Sequence, residues 1–449
     1  MKVIIFLLIY AELAMCVMYD LSITDCILTV ISIPFAFSTL SYSSVKRSPM
    51  TSFLIIYLFC SFSVVSLTKF YPLNNNLGSK VVCDEDFIIM ASYSIKVMFI
   101  TFISVVIANH VFVRKVECWR YETFISPTYI RIVALLFLLA LLSLISLFVG
   151  IGKMGSSNTQ LPFHLSGVIQ FIRVEVAPFL ALLFYMSIKK ESRVILNNRK
   201  KYIFLLLFFC WTLLETFVRI SKSAIAYEFL PILIYEVIEN AKAGTMKSLI
   251  VKITPFIFIL LLCFFVVENV RNGEENVFKS DKELMATYNN HEAQNPFVRP
   301  YTRFFINGHQ FLTSYYVVNQ ESLFDFSNMT KILALGGAAR FKTFVIDRYP
   351  QGAIHSSGST YIVDALMCGG YGLSFVFLII LVFMCVKVDQ LINSSIPLIA
   401  ALVLVLFVFK YIISGLSVSI IVDSMSINGI LVTLFLLFII NRIKRVPKL

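Results

Sequence analysis

Charge is what this sequence has least of. Asp, Glu, Lys and Arg together make up 14% of its 449 residues, where a soluble domain carries about 25%. Apolar residues fill 58% of the chain and the mean hydropathy is +0.85. A water-soluble fold is excluded. Cysteine chemistry is also thin: nine cysteines, no CxxC pair and no Cys/His cluster. Cys60, Cys210, Cys263 and Cys385 sit inside apolar runs, where they read as small packing residues. No disulfide framework and no metal site follow from them. The chain has no Walker A sequence, no Rossmann glycine signature and no HExxH, so no cofactor is expected and an ATP-driven transporter is disfavoured. The net charge is +12. In a polytopic chain, basic residues report orientation before they report nucleic acid.

What is present is a series of about a dozen apolar runs. A bilayer span needs ~20 apolar residues, and the runs fall near 3–19, 24–43, 50–68, 87–113, 130–151, 167–188, 202–220, 224–239, 249–268, 361–386, 396–414 and 418–440. The sequence therefore predicts an all-α, polytopic integral membrane protein with about 12 transmembrane helices. Residues 1–268 carry helices one to nine. A large outer loop occupies 269–360, and helices ten to twelve with a basic tail occupy 361–449. Leu13-Ala14-Met15-Cys16 loosely matches a lipoprotein cleavage box, but Met beside the Cys fits badly and further spans follow at once. An uncleaved first span is expected.

The charges orient this layout. Lys46-Arg47, Arg114-Lys115, Lys189-Lys190, Arg199-Lys200-Lys201, Lys242, Lys387 and the Arg442-to-Lys448 tail all fall on one side if both termini are cytoplasmic. The 269–360 loop then lies outside, which is the periplasm for a bacterial inner membrane. Loops this long are functional or disordered, and this one is aromatic. From Pro300, a favoured first-turn residue, Tyr301, Phe304, Phe305, Gly308, Phe311, Leu312 and Tyr315 recur at helical spacing, with Arg303, Asn307, Gln310 and Ser314 opposite. An amphipathic helix on the outer interface is expected. A second runs from about Met329 to Leu335, between Asn328 and Gly336-Gly337.

Three polar constellations project to that outer side. The first is Gln170, Arg173 and Glu175 at the end of span six, with Gln170 and Arg173 three apart on one face. Its bland alternative is snorkelling to the interface, but ionisable residues within spans also mark substrate paths or ion pairs. The second is Glu215, Arg219 and Lys222, spaced four and three on span seven. A Glu215–Arg219 pair that neutralises itself is the simple reading, and it leaves Lys222 for an external anion. The third is the loop with its exit: Arg299, Arg303, His309, Arg340, Arg348 and His355, running into Gly358-Ser359-Thr360-Tyr361 and Asp364. Residues 269–360 hold nine Lys/Arg against eight Asp/Glu, so this is no general basic patch. Arginine's planar fork suits phosphate or diphosphate; solvated surface is the alternative for any one of them. Asp84-Glu85-Asp86 reads as a helix start rather than a metal site, since acids are favoured at a helix N-terminus.

About twelve spans, both ends cytoplasmic, and one large outer loop before the last three spans resemble the Wzy-type O-antigen polymerases. Ser221-Lys222-Ser223-Ala224 resembles that family's Ser-Arg-Gly/Ser segment, with Lys in place of Arg. Gly358-Ser359-Thr360-Tyr361 through Gly369-Gly370-Tyr371-Gly372 is similar to its polar lead-in to the next span and its glycine-rich interior. The resemblance implies a glycosyltransferase that moves a growing glycan from undecaprenyl diphosphate onto the sugar of a newly arrived lipid-linked repeat unit. It needs cations for the departing diphosphate and a base for the acceptor hydroxyl. Under it, Arg173, Arg219, Lys222, Arg299, Arg303, Arg340 and Arg348 become candidates for diphosphate or glycan binding. His309, His355 and Asp364 compete as general base. The implied partners are the lipid-linked glycans, membrane lipid and a chain-length regulator protein, with no nucleic acid, metal or cofactor. The alternatives are a lipid-linked oligosaccharide flippase, an O-antigen ligase and an ion-coupled transporter. The long loop argues against the flippase, and the scarcity of midplane acids argues against the ion-coupled transporter.

Overall fold

The computed structural model describes residues 2–42, 48–68, 84–112, 128–151, 161–162, 165–195, 199–219, 223–245, 254 and 361–393. Among them the chain is all-helical. We number the helices α1 (Lys2–Met18), α2 (Ile23–Tyr42), α3 (Pro49–Thr68), α4 (Asp84–Phe112) and α5 (Tyr129–Val149). Next come α6, built from Leu165–Phe171, a π-helical turn Ile172–Val176 and Ala177–Ile195, then α7 (Arg199–Arg219), α8 (Ser223–Ala243) and α9 (Tyr361–Asn393). Six stretches among the described residues are long and apolar enough to cross a membrane: α3, α4, α5, Leu165–Lys189 of α6, α7 and Gly372–Gln390 of α9. Val3–Met18 and Ile23–Thr39 are shorter apolar helices. These helices coincide with nine of the expected spans. The runs 249–268, 396–414 and 418–440 and the 269–360 loop lie outside the described residues.

Local chemistry explains where several helices start and stop. Ser22 accepts from the Asp25 backbone N–H at 3.2 Å and donates to the Asp25 carboxylate at 2.8 Å, a capping pair that opens α2. The acidic run Asp84-Glu85-Asp86 forms the first turn of α4, as expected from its sequence. α5 closes on Gly150 at φ 77°, a left-handed turn that glycine adopts without steric cost. Large apolar side chains such as Ile130, Phe137 and Phe148 stand fully outward on α5, while Ile132, Leu135, Leu139, Ser143 and Ser146 form its buried stripe. An outer face this apolar belongs in lipid.

The described helices fall into two compact units. The first contains α1–α4 and α9. There α2 and α9 both pack on α4, α1 packs on α2, and α9 packs on α3. Tyr93 on α4 meets Ser374 on α9 at 2.8 Å, and Gln390 on α9 donates to the Phe112 carbonyl at 3.0 Å. Those two contacts occur in the same order along both helices, so α4 and α9 run parallel, and an odd number of crossings must separate them. Lipid supplies no hydrophobic drive between helices, so polar contacts of this kind carry much of the specificity.

The firmest of these contacts is a cap supplied from another helix. Ser48 makes no side-chain cap at the start of α3, and Pro49 has no N–H to offer. Asp389 of α9 fills that role. Its carboxylate accepts from Met50 N at 2.7 Å, Thr51 N at 2.9 Å and Thr51 Oγ1 at 2.7 Å, and the residue is only 3% exposed. The second unit contains α5–α8, with α7 packed against α5, α6 and α8.

Hydrogen bonds to a buried charge contribute about 1.5–3 kcal/mol each. Asp389→Ala is predicted to lower the thermal unfolding midpoint in detergent sharply, and Asp389→Asn by less. An unchanged midpoint for the alanine variant would show that the cap is dispensable.

Candidate functional site

Four ionisable side chains meet in the second unit, at the end where α5 and α7 finish and α6 and α8 begin. Arg173 lies on the π-helical turn of α6. Its Nε donates to Glu215 Oε1 at 2.8 Å and its Nη2 to Glu215 Oε2 at 2.7 Å, a two-pronged fork between α6 and α7. Both side chains are removed from solvent, at 1% and 0% exposure. Ser143 of α5 donates to the same Glu215 Oε1, and Trp211 Nε1 donates to Ser143 Oγ at 3.0 Å. Arg173 Nη1 reaches the Ile151 carbonyl at 3.4 Å. Both oxygens of Glu215 are therefore occupied.

The second half of the cluster is looser. Arg219, in the last turn of α7, gives Glu228 of α8 a single 3.4 Å contact from Nη1 to Oε1. Glu228 is fully buried, and among the described residues its Oε2 has no hydrogen-bond partner. Glu215 and Arg173 both act electrostatically on Glu228, so the two pairs form one coupled quartet. Among the described residues, the long contact to Glu228 is the only polar contact Arg219 makes. Chemically, the Arg173–Glu215 half is a closed, satisfied pair. The Arg219–Glu228 half holds spare donors and a spare acceptor.

The opposite end of this unit carries a different junction. Glu236 of α8 accepts from Tyr185 Oη, from Lys189 Nζ at 2.7 Å and from Asn240 Nδ2 at 2.9 Å, with Lys201 Nζ at 3.8 Å. It ties α6, α7 and α8 together beside the basic fringe Lys189 and Lys201. Among the described residues, no group of three or more His, Cys, Asp or Glu side chains converges as a metal ion needs.

The expected site residues separate accordingly. Arg173 and Arg219 come together, but each pairs with a glutamate from another helix. The simple Glu215–Arg219 pair is not formed. Gln170 and Arg173 do not share an environment either: Gln170 is exposed and Arg173 buried. The π-helical turn that begins at Ile172 adds a residue to the helical repeat and breaks the i,i+3 relation. Asp364 falls in the first turn of α9, in the other unit. Lys222, Arg299, Arg303, Arg340, Arg348, His309 and His355 lie outside the described residues. Ser143, Trp211 and Glu228 complete the cluster without having been singled out from sequence. The Glu228 signal was available, since a carboxylate five residues into an apolar run is rare in a span. No protein-family model, curated protein or solved structure matches the chain.

Removing one partner of a buried ion pair costs about 3–5 kcal/mol, while replacing both with apolar groups is often neutral. Arg173→Ala and Glu215→Ala are each predicted to reduce folded protein in membranes, and Arg173→Leu with Glu215→Leu to restore it. Equal losses in the singles and the double, with no recovery, would contradict the pairing.

Proposed function

We propose that this chain is an O-antigen polymerase, a glycosyltransferase of the bacterial inner membrane. It would join oligosaccharide repeat units carried on undecaprenyl diphosphate, at the membrane's periplasmic face. The observation that carries the reading is the desolvated Arg/Glu quartet at one end of the second unit. By the charge rule, the basic fringe around Lys189 and Lys201 supports a cytoplasmic other end and an outward-facing quartet, the side on which the sequence layout expects the 269–360 loop. A transferase of this type must stabilise a departing diphosphate in a site from which water is excluded. Preorganised guanidinium groups held in apolar surroundings suit that task.

In this reading Arg173 is a positioning residue. Its fork to Glu215 fixes α6 against α7 and leaves it little to offer a ligand. Arg219, held by one long contact, is the better diphosphate ligand. Lys222, Arg299, Arg303, Arg340 and Arg348 supply further cations, and His309, His355 and Asp364 compete to take the acceptor proton. Arg173 buried within a span also favours a second reading, a lipid-linked oligosaccharide flippase. Its neutralisation by Glu215 weakens that argument.

Deletion of the gene, with lipopolysaccharide resolved on a gel, separates the two. Core carrying one repeat unit, with the ladder lost and then restored by the wild-type gene but not by Arg219→Ala, is the expected result. Bare core without any repeat unit would overturn the polymerase in favour of the flippase or a ligase.

A further inference from the structure

Two of the first unit's cysteines, neither with a part in the site above, sit at one helix hairpin. Cys16 lies two residues before the end of α1 and Cys26 three residues after the start of α2. The two helices form a hairpin, closed by the turn between Met18 and Ile23. Cys16 Sγ lies 3.4 Å from Thr29 Oγ1 on α2. Cys26 is three residues before Thr29, on the same face of that helix. Cys16 thus faces the turn of α2 that carries Cys26, and the two thiols act on each other electrostatically. Both are half-buried, so neither is sealed in the core.

The surroundings of the pair are those of a water boundary. Asp20 is exposed in the turn, and Asp25 beside Cys26 accepts from Ser92 at 2.8 Å and pairs with Lys96 at 3.4 Å. The acidic start of α4 stands at the same end, because α4 runs antiparallel to α3, whose Ser66 carbonyl accepts from Tyr19. In the sequence, the basic residues Lys46-Arg47 and Arg114-Lys115 come directly after the opposite ends of α2 and α4. By the charge rule, the cysteine end is the non-cytoplasmic one. That compartment keeps cysteines oxidised.

We propose that Cys16 and Cys26 form an intramolecular disulfide that staples the outer ends of α1 and α2. The proposal rests on the orientation given above and not on the polymerase reading. Two thiols lose two protons and two electrons as the S–S bond forms. The oxidant is a thiol–disulfide oxidoreductase of that compartment in its disulfide form. A mixed disulfide with one cysteine is resolved by the other, and the oxidant leaves as its dithiol. The α1–α2 turn is short, so the bond fixes a hairpin that is already formed rather than joining distant segments.

The sequence makes the test direct. No Lys or Arg occurs between Lys2 and Lys46, so trypsin releases residues 3–46 as one peptide holding these two cysteines and no others. Membranes from expressing cells are quenched with acid, denatured in SDS, alkylated with iodoacetamide and digested, with and without prior reduction. The expected peptide is lighter than the dithiol by two hydrogens, carries no alkyl group, and takes up two only after reduction. A peptide alkylated at both cysteines without reduction would overturn the proposal. In that event, Asp20→Cys on a background of Cys16→Ser and Cys26→Ser tells whether the orientation failed too. Gain of labelling by a membrane-impermeant maleimide from outside keeps the orientation, and its absence removes it.

Discussion

A charge in an apolar interior must find its opposite, and the Arg173–Glu215 fork is where this protein meets that demand most completely. Stranding either partner would cost several kcal/mol. The packing of α5, α6 and α7 is therefore constrained to the one arrangement that brings a guanidinium, a carboxylate, a hydroxyl and an indole N–H within reach of one another. The π-helical turn of α6 serves the same demand. It sets Arg173 inward on a helix where Gln170, three residues earlier, is exposed. Such turns are frequent at functional sites, and here the turn delivers a buried cation to the Glu215 carboxylate of the neighbouring helix.

The first unit obeys the same rule with different chemistry. Asp389 places its carboxylate on the bare N-terminus of α3, and Asp25 caps its own helix and reaches Ser92 and Lys96 of α4. In each case a carboxylate that lipid would penalise becomes a specific contact between helices. Glu12 on α1 follows the pattern only partly: Ser32 donates to one oxygen at 3.0 Å, while the other has no hydrogen-bond partner among the described residues. Among the same residues, Glu228 likewise buries a carboxyl oxygen without a hydrogen-bond partner.

The helices were legible because an apolar run of bilayer length has few other uses. The start of α4 at Asp84 and the parallel course of α4 and α9 both agree with the expected layout. The site was legible as a set of residues but not as a set of pairs. Spacing along one helix paired Glu215 with Arg219, because a sequence shows only i,i+4 neighbours. The actual partner of Glu215 is 42 residues away, on a helix whose register shifts at a π turn that no sequence rule announces. Glu228 stood in plain view, and its meaning depended on the fold placing Arg219 beside it.

If the quartet serves a diphosphate leaving group, its two halves divide the work. The satisfied Arg173–Glu215 fork holds the helices in place, and the loosely held Arg219 meets the ligand. The most direct measurement is chemical: the purified chain in lipid vesicles, supplied with an undecaprenyl-diphosphate-linked repeat unit and no other protein. The account predicts lipid-linked oligomers that lengthen with time, with undecaprenyl diphosphate released at each addition. A repeat unit recovered unlengthened, from a preparation shown to be folded, would contradict it.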